Sequence, residues 1–172
     1  MPVSLEPFDA AHLPRLGSWL RAPHVAPWYP HPADDLERAA TPPPGAGHWL
    51  IATARGPVGY LRWVHVDRAT LDALGLGEVP ANSVDMDILL GEPDALGRGY
   101  GPEALQLAAL TFLADETVAQ LGLTTSVRNT NAHRAFVKAG FGIVRQYRPP
   151  GLELCHLMIR DLAAERARSR RR

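Results

Sequence analysis

An alternating run, Val84-Asp85-Met86-Asp87-Ile88-Leu89-Leu90, is followed closely by Leu96-Gly97-Arg98-Gly99-Tyr100-Gly101-Pro102 and then by an apolar-striped segment ending near Phe112. No other part of the chain constrains the fold so tightly. The first stretch reads as a strand. Leu105, Ala108, Ala109 and Phe112 fall on one side of a helix, and Pro102 suits its first turn. Glycines between a strand and a helix N-terminus expose backbone N–H groups where the helix dipole favours an anion. Arg98 adds a positive charge there. The segment is a candidate pyrophosphate site. A G-x-G-x-x-G fingerprint does not fit its spacing, and no Gly-Lys-Ser/Thr follows to make a P-loop.

Around this core, Val3–Phe8 reads as a strand, and Asp9 can cap a helix carrying Leu13, Leu16 and Leu20. Residues 23–44 are rich in proline and aromatics, with a short helix near 34–40. Strands are expected at 49–54 and 58–64, joined at Gly56-Pro57, and a loop with one helical turn at 67–82. Strands at 123–127, 141–147 and 152–159 and a helix at 130–139 complete the pattern. Strands and helices interleaved around one sheet give an α/β (α+β) class and a single domain over residues 1–162. A basic tail, 163–172, is expected to be a solvated, frayed end.

Composition narrows the function. Eighteen Lys and Arg balance eighteen Asp and Glu, so no global field points to nucleic acid or an anionic membrane. No run approaches the ~20 apolar residues of a membrane span. Cys155 is the single cysteine, which excludes an intrachain disulfide and fits a reducing, cytoplasmic setting. The seven histidines show no H-x-x-x-H pairing, so no metal is expected. No G-x-S-x-G nucleophile occurs, which favours direct transfer over an acyl-enzyme.

The loop Leu96–Gly101, together with Asn129-x-x-Ala132-x-x-x-Phe136-x-x-x-Gly140-Phe141, resembles the two signatures of the GNAT N-acetyltransferases. The resemblance covers nearly the whole chain. It implies a twisted, mixed, mostly antiparallel sheet that splays after its fourth strand and is flanked by helices. It implies acetyl-CoA as co-substrate, its pyrophosphate on Leu96, Gly97, Arg98, Gly99, Tyr100 and Gly101. Its pantetheine arm is then expected along Ile88, Leu89 and Leu90, steadied by Asn129. Two positions depart from the pattern. Leu96 replaces a polar residue, and Phe136 stands where many relatives carry a tyrosine that protonates the leaving thiolate.

Strand geometry puts Asp85 and Asp87 on one face, roughly 7 Å apart. In the implied fold this strand borders the cofactor, and an ammonium must lose a proton before it can attack a thioester. A carboxylate there can hold the ammonium and take that proton. A closer resemblance selects Asp87. Trp19-Leu20…His24…Trp28-Tyr29, Pro57-Val58-Gly59-Tyr60 and the loop variant are similar to segments of aminoglycoside 6'-N-acetyltransferases. Asp87 matches their catalytic aspartate. That resemblance implies the 6'-amine of an aminoglycoside as acceptor, and antibiotic resistance as the outcome.

Asp85 and Glu78 are candidates to hold the acceptor's charges, and Trp28 and Tyr29 to floor its site. Thr124-Thr125 stands where those enzymes often carry Asp-Pro. Partners are expected to be a small-molecule amine and at most a second copy, as monomer or homodimer. The alternatives are a siderophore-biosynthesis acyltransferase acting on a hydroxylated lysine, or a degenerate CoA-binding domain. The first usually places histidine at the Asp87 position, and the second is supported by Phe136.

Overall fold

Strands form here where apolar and aromatic residues alternate, and helices where a capping residue precedes an apolar stripe. A computed structural model describes residues 2–171. In order they form β1 (Ser4–Pro7), α1 (Leu13–Leu20), α2 (Pro32–Ala40), β2 (Ala46–Thr53), β3 (Gly56–His65), α3 (Arg68–Ala73), β4 (Val84–Leu90) and α4 (Tyr100–Leu113). Then follow β5 (Gln120–Ser126), α5 (Thr130–Lys138), β6 (Gly142–Tyr147), β7 (Cys155–Asp161) and α6 (Leu162–Ser169). The seven strands lie in the order β1-β2-β3-β4-β5-β7-β6. β4 and β5 run parallel, while β1–β2, β2–β3, β5–β7 and β6–β7 are antiparallel. This is the expected mixed α/β class, a mostly antiparallel open sheet with six helices among the described residues. The chain forms two compact units, one running to Val64 and including Asp87–Ala104, the other made of His65–Met86 and the chain from Leu105 onward.

The first unit is organised by α1. Asp9 accepts from the Ala11 N–H, and its own N–H donates to the His12 ring, a reciprocal cap on the turn that leads into α1. Leu16, Trp19 and Leu20 then share one side and pack with Val25, Ala39, Leu50, Tyr60 and Leu89. Each fully buried leucine contributes about 1.5–3 kcal/mol of transfer free energy. Trp19 also fixes the end of β4: its indole N–H donates to Glu92 at 2.9 Å, and its ring lies against Gly91. A Cβ at Gly91 would sit 1.9 Å from Trp19 Cγ, so only glycine fits. The β2–β3 hairpin turns at Ala54-Arg55 rather than at Gly56-Pro57, because Thr53 pairs with Gly56 and Gly56 takes φ +106°.

In the second unit, β5, β7 and β6 form the sheet, and the segment around α3 buries Leu71, Leu76 and Val79 with Leu157. Arg68 donates to the carbonyls of Val79 and Leu76, holding the loop that the sequence left largely irregular. β7 begins at Cys155 and runs to Asp161, later than the expected 152–159. The tail is not frayed over its described length. Asp161 caps α6, and Arg166 donates to the carbonyls of Leu113, Asp115 and Val118 at and beyond the α4 C-terminus. Leu113 is the last residue of α4, where an arginine meets both the hydrogen-bonding need of a terminal carbonyl and the helix dipole.

Candidate active site

Asp87 lies in β4 within the first unit, on the same face as Leu89 by strand alternation. Side chains from two other segments bond to it. Tyr29 follows the short turn Ala26–Trp28 between α1 and α2, with Pro27 inside the turn and Pro30 just after it. Its hydroxyl donates to Asp87 Oδ1 at 2.6 Å and reaches the Ile88 carbonyl at 3.1 Å. Arg62 comes from β3, and its Nε–H donates to Asp87 Oδ2 at 3.3 Å. Leu16, Leu20, Tyr29, Asp35, Tyr60, Arg62, Asp87 and Leu89 together line a small recess.

The electrostatics follow from burial and from this carboxylate. Burial above all, then the charge of Asp87 and the hydrogen bond to it, push the Tyr29 phenol well above its ordinary range. Tyr29 therefore stays protonated and acts as a donor at neutral pH. Tyr60 is raised in the same direction, mainly by burial. Its hydroxyl meets His48 Nδ1 at 2.6 Å, and burial followed by the charge of Arg62 pushes His48 down, favouring a neutral imidazole.

The glycine loop belongs to the same unit. Gly97 and Gly99 hold φ of +72° and +82°, conformations that other residues adopt only with strain, and nothing lies within 4 Å of where a Cβ would stand. Such a backbone, leading into the 14-residue α4, suits an anion such as a pyrophosphate. Leu96, Gly97, Arg98 and Gly99 are exposed, while Tyr100 and Gly101 are buried as the helix starts. Arg98 donates through Nε to the Asp94 carbonyl at 2.5 Å, which holds its side chain beside the loop. Just before, the Leu90 carbonyl accepts from the His24 ring at 3.0 Å.

The remaining sequence-selected residues are dispersed. Trp28 is exposed, whereas Tyr29, its neighbour, is bound into the Asp87 site. Glu78 is in the second unit, where Arg145 donates to it at 2.5 Å and holds its carboxyl below the usual range. Asp85 is also there, half-buried; burial above all, and then the charge of Asp85, raise Tyr147, whose hydroxyl meets Thr124 Oγ1 at 2.6 Å. Asn129 caps α5 by accepting from the Ala132 N–H at 3.1 Å. Phe136 is buried, with its ring 6.5 Å from that of Phe141. Sequence reasoning missed Arg62, Asp35 and Tyr60. Arg62 had left a signal: it is the one charge in the apolar strand Val58–Val64, two residues from Tyr60 and so on the same face.

A family model described as an acetyltransferase (GNAT) domain matches residues 9–148. The chain belongs to the GNAT acetyltransferases. A comparison with curated protein sequences finds no match. Solved structures agree on the fold of this GNAT chain. AAC(6')-Ib in complex with paromomycin and acetyl-CoA is 22% identical at a TM-score of 0.80, covering 96% of this chain and 97% of that one. The same enzyme with coenzyme A and kanamycin is 24% identical at 0.79, covering 96% and 99%. An aminoglycoside N(6')-acetyltransferase from Legionella pneumophila is 16% identical at 0.76, covering 98% and 96%. No helix among the described residues is long and apolar enough to cross a membrane.

Proposed function

We propose that this GNAT domain transfers the acetyl group of acetyl-CoA directly to a primary amine of a small molecule, with the 6'-amine of an aminoglycoside as acceptor. The observation that carries the reading is the Asp87 carboxylate, oriented by Tyr29 in a recess of the unit that also holds the glycine loop. The likeness in fold to AAC(6')-Ib supports the choice of acceptor.

Acetyl-CoA, when bound, supplies an activated acyl group; the chain supplies orientation and proton transfer. The loop Leu96–Gly101 and the first turn of α4 hold the pyrophosphate through backbone donors and Arg98. Ile88, Leu89 and Leu90 run beside the pantetheine. Asp87 receives the ammonium of the acceptor and takes its proton, directly or through a water, so that the amine lone pair is free to attack. As the C–N bond forms and the C–S bond breaks, the thiolate takes its proton from solvent, since Phe136 has none to give. Trp28 contributes a face to the acceptor site. The cytoplasm supplies acetyl-CoA, and acetylation there protects the cell from the drug.

The test is free-thiol release from acetyl-CoA with a panel of amines. Kanamycin-type compounds bearing a 6'-amine are expected to turn over, and analogues with a 6'-hydroxyl are not. Asp87→Asn keeps the shape and removes the proton acceptor, and kcat/KM is expected to fall by about 10²-fold or more. Activity on N6-hydroxylysine with none on any 6'-amino compound overturns the reading. Coenzyme A binding without turnover of any amine points instead to a degenerate domain.

A further inference from the structure

Tyr60 lines the Asp87 recess, and its hydroxyl has one partner among the described residues, the His48 ring at 2.6 Å. The two side chains share one face of β2 and β3, and the Phe8 ring closes on both, with centroids 5.0 Å from Tyr60 and 5.6 Å from His48. After burial, the charges felt most by the Tyr60 hydroxyl are those of Arg62, Asp87 and Asp35, which line the same recess. Which atom carries the hydrogen between Tyr60 and His48 decides what the hydroxyl offers. Burial and the Arg62 charge keep His48 neutral, so its ring carries a single hydrogen. His48 Nε2 is buried and has no partner among the described residues. A hydrogen there would be an orphaned N–H, which folded chains rarely tolerate. On Nδ1 it donates instead to the Tyr60 oxygen, and only a bare lone pair is left buried at Nε2. Tyr60 then accepts from His48 and turns its own O–H to the recess, where no group among the described residues takes it.

Resting on the assignment of Asp87 as the group that receives the ammonium, we propose that Tyr60 is a specificity-determining donor, which binds an ether or hydroxyl oxygen carried next to the reacting amine and so selects amino sugars over plain amines. His48 is its positioning residue. An ammonium offers only donors, so Tyr60 leaves the recognition of charge to the carboxylates and reads the oxygen-bearing framework. In a 6-amino sugar, the carbon that bears the aminomethyl group carries the ring oxygen, and the next ring carbon carries a hydroxyl. A plain alkylamine on Asp87 leaves the Tyr60 O–H unmet, and an unmet donor in a closed site is what makes such discrimination strong.

The test compares 6-amino-6-deoxyglucose with cyclohexylmethylamine, which carries the same aminomethyl group on a six-membered ring without oxygen. The parent is expected to favour the amino sugar in kcat/KM, and Tyr60→Phe to shrink that preference about ten-fold. Effects common to both amines cancel in the ratio, and calorimetric Kd values with coenzyme A bound give the same ratio where turnover is absent. His48→Phe is expected to shrink the preference about three-fold, and to change nothing more when added to Tyr60→Phe. Nitrogen-15 NMR of the His48 ring reads the tautomer in the unaltered protein, which serves if either variant folds poorly; a protonated Nδ1 and a bare Nε2 are expected. The reverse tautomer overturns the proposal, as does a parent without preference or a folded Tyr60→Phe whose preference equals the parent's. A Tyr60-dependent preference in binding, with no acetylation of any amine, overturns the acetyl-transfer reading alone, so the two failures are distinguishable.

Discussion

Tyr29→Phe removes one oxygen and keeps the ring. The ring packs against the core cluster of the first unit, so the substitution leaves that contact largely in place. What it deletes is the 2.6 Å hydrogen bond to Asp87 Oδ1 and the 3.1 Å contact to the Ile88 carbonyl. A hydrogen bond to a charged group contributes about 1.5–3 kcal/mol. Asp87 keeps 32% of its side-chain surface exposed, so water can replace part of the lost donor. That discount leaves about 1–2 kcal/mol, or roughly 2–8 °C in Tm for a chain of this size. With one oxygen released, Asp87 is held only through Arg62, and the loss of orientation is expected to reduce kcat about ten-fold, more than it changes KM.

The pH dependence adds a second signature. Burial and Asp87 raise the Tyr29 phenol, so its contribution to stability is complete below the ordinary tyrosine value near 10 and is lost as pH rises through the folded value. The difference in Tm between the protein and Tyr29→Phe should be constant from neutral to about pH 10 and narrow above it. Thermal melts across that range and steady-state kinetics with a 6'-amino acceptor measure both effects. An unchanged Tm together with an unchanged kcat would refute the assignment of Tyr29 as the residue that orients Asp87.

Gly91→Ala places a methyl inside the Trp19 ring, and a drop in Tm of at least several degrees is expected by calorimetry; a variant as stable as the parent would mean that Trp19 does not clamp the end of β4. A Cβ on Gly101 would meet only Leu90 Cδ1, at 4.0 Å, so Gly101→Val should fold but bind coenzyme A about ten-fold more weakly by titration calorimetry. Unchanged affinity would remove the loop from the cofactor site. His48 and His133 are both held below the ordinary histidine value, foremost by burial, so their contribution is present above about pH 6.5 and lost as pH falls and the unfolded chain takes up more protons. Tm should therefore fall between pH 7.5 and 5.5, and by less in His133→Gln; an identical fall in that variant would exclude His133 as a source.

The elements that were legible in the sequence are those specified locally. β4, the glycine loop and α4 carry their own periodicity and punctuation, and Asp9 carries its own cap. α6 was not legible, because one of its arginines, Arg166, is held by carbonyls at and beyond the end of another helix, and a basic run alone looks the same whether solvated or bound. Glu78 was singled out for its charge, yet that charge is spent on Arg145, 67 residues away, a partner that sequence proximity cannot supply.

Asp87 was singled out through resemblance, and the contacts its neighbours make with it were not. Tyr29 was read as an aromatic floor for the acceptor, whereas its hydroxyl is what reaches β4. Arg62 shows the difficulty best. A strand such as Val58–Val64, with Tyr60 and Leu61 buried, leaves little tolerance for an unpaired charge, so an arginine on the Tyr60 face implies a carboxylate close by. Pattern alone offered Asp85 and Asp87 equally, since both alternate onto one face of β4. The structure separates them: the β3 arginine reaches Asp87, while Asp85 is in the other unit beside Tyr147. An out-of-place charge in one strand and a choice of carboxylates in another are each ambiguous, and they become informative only as a pair.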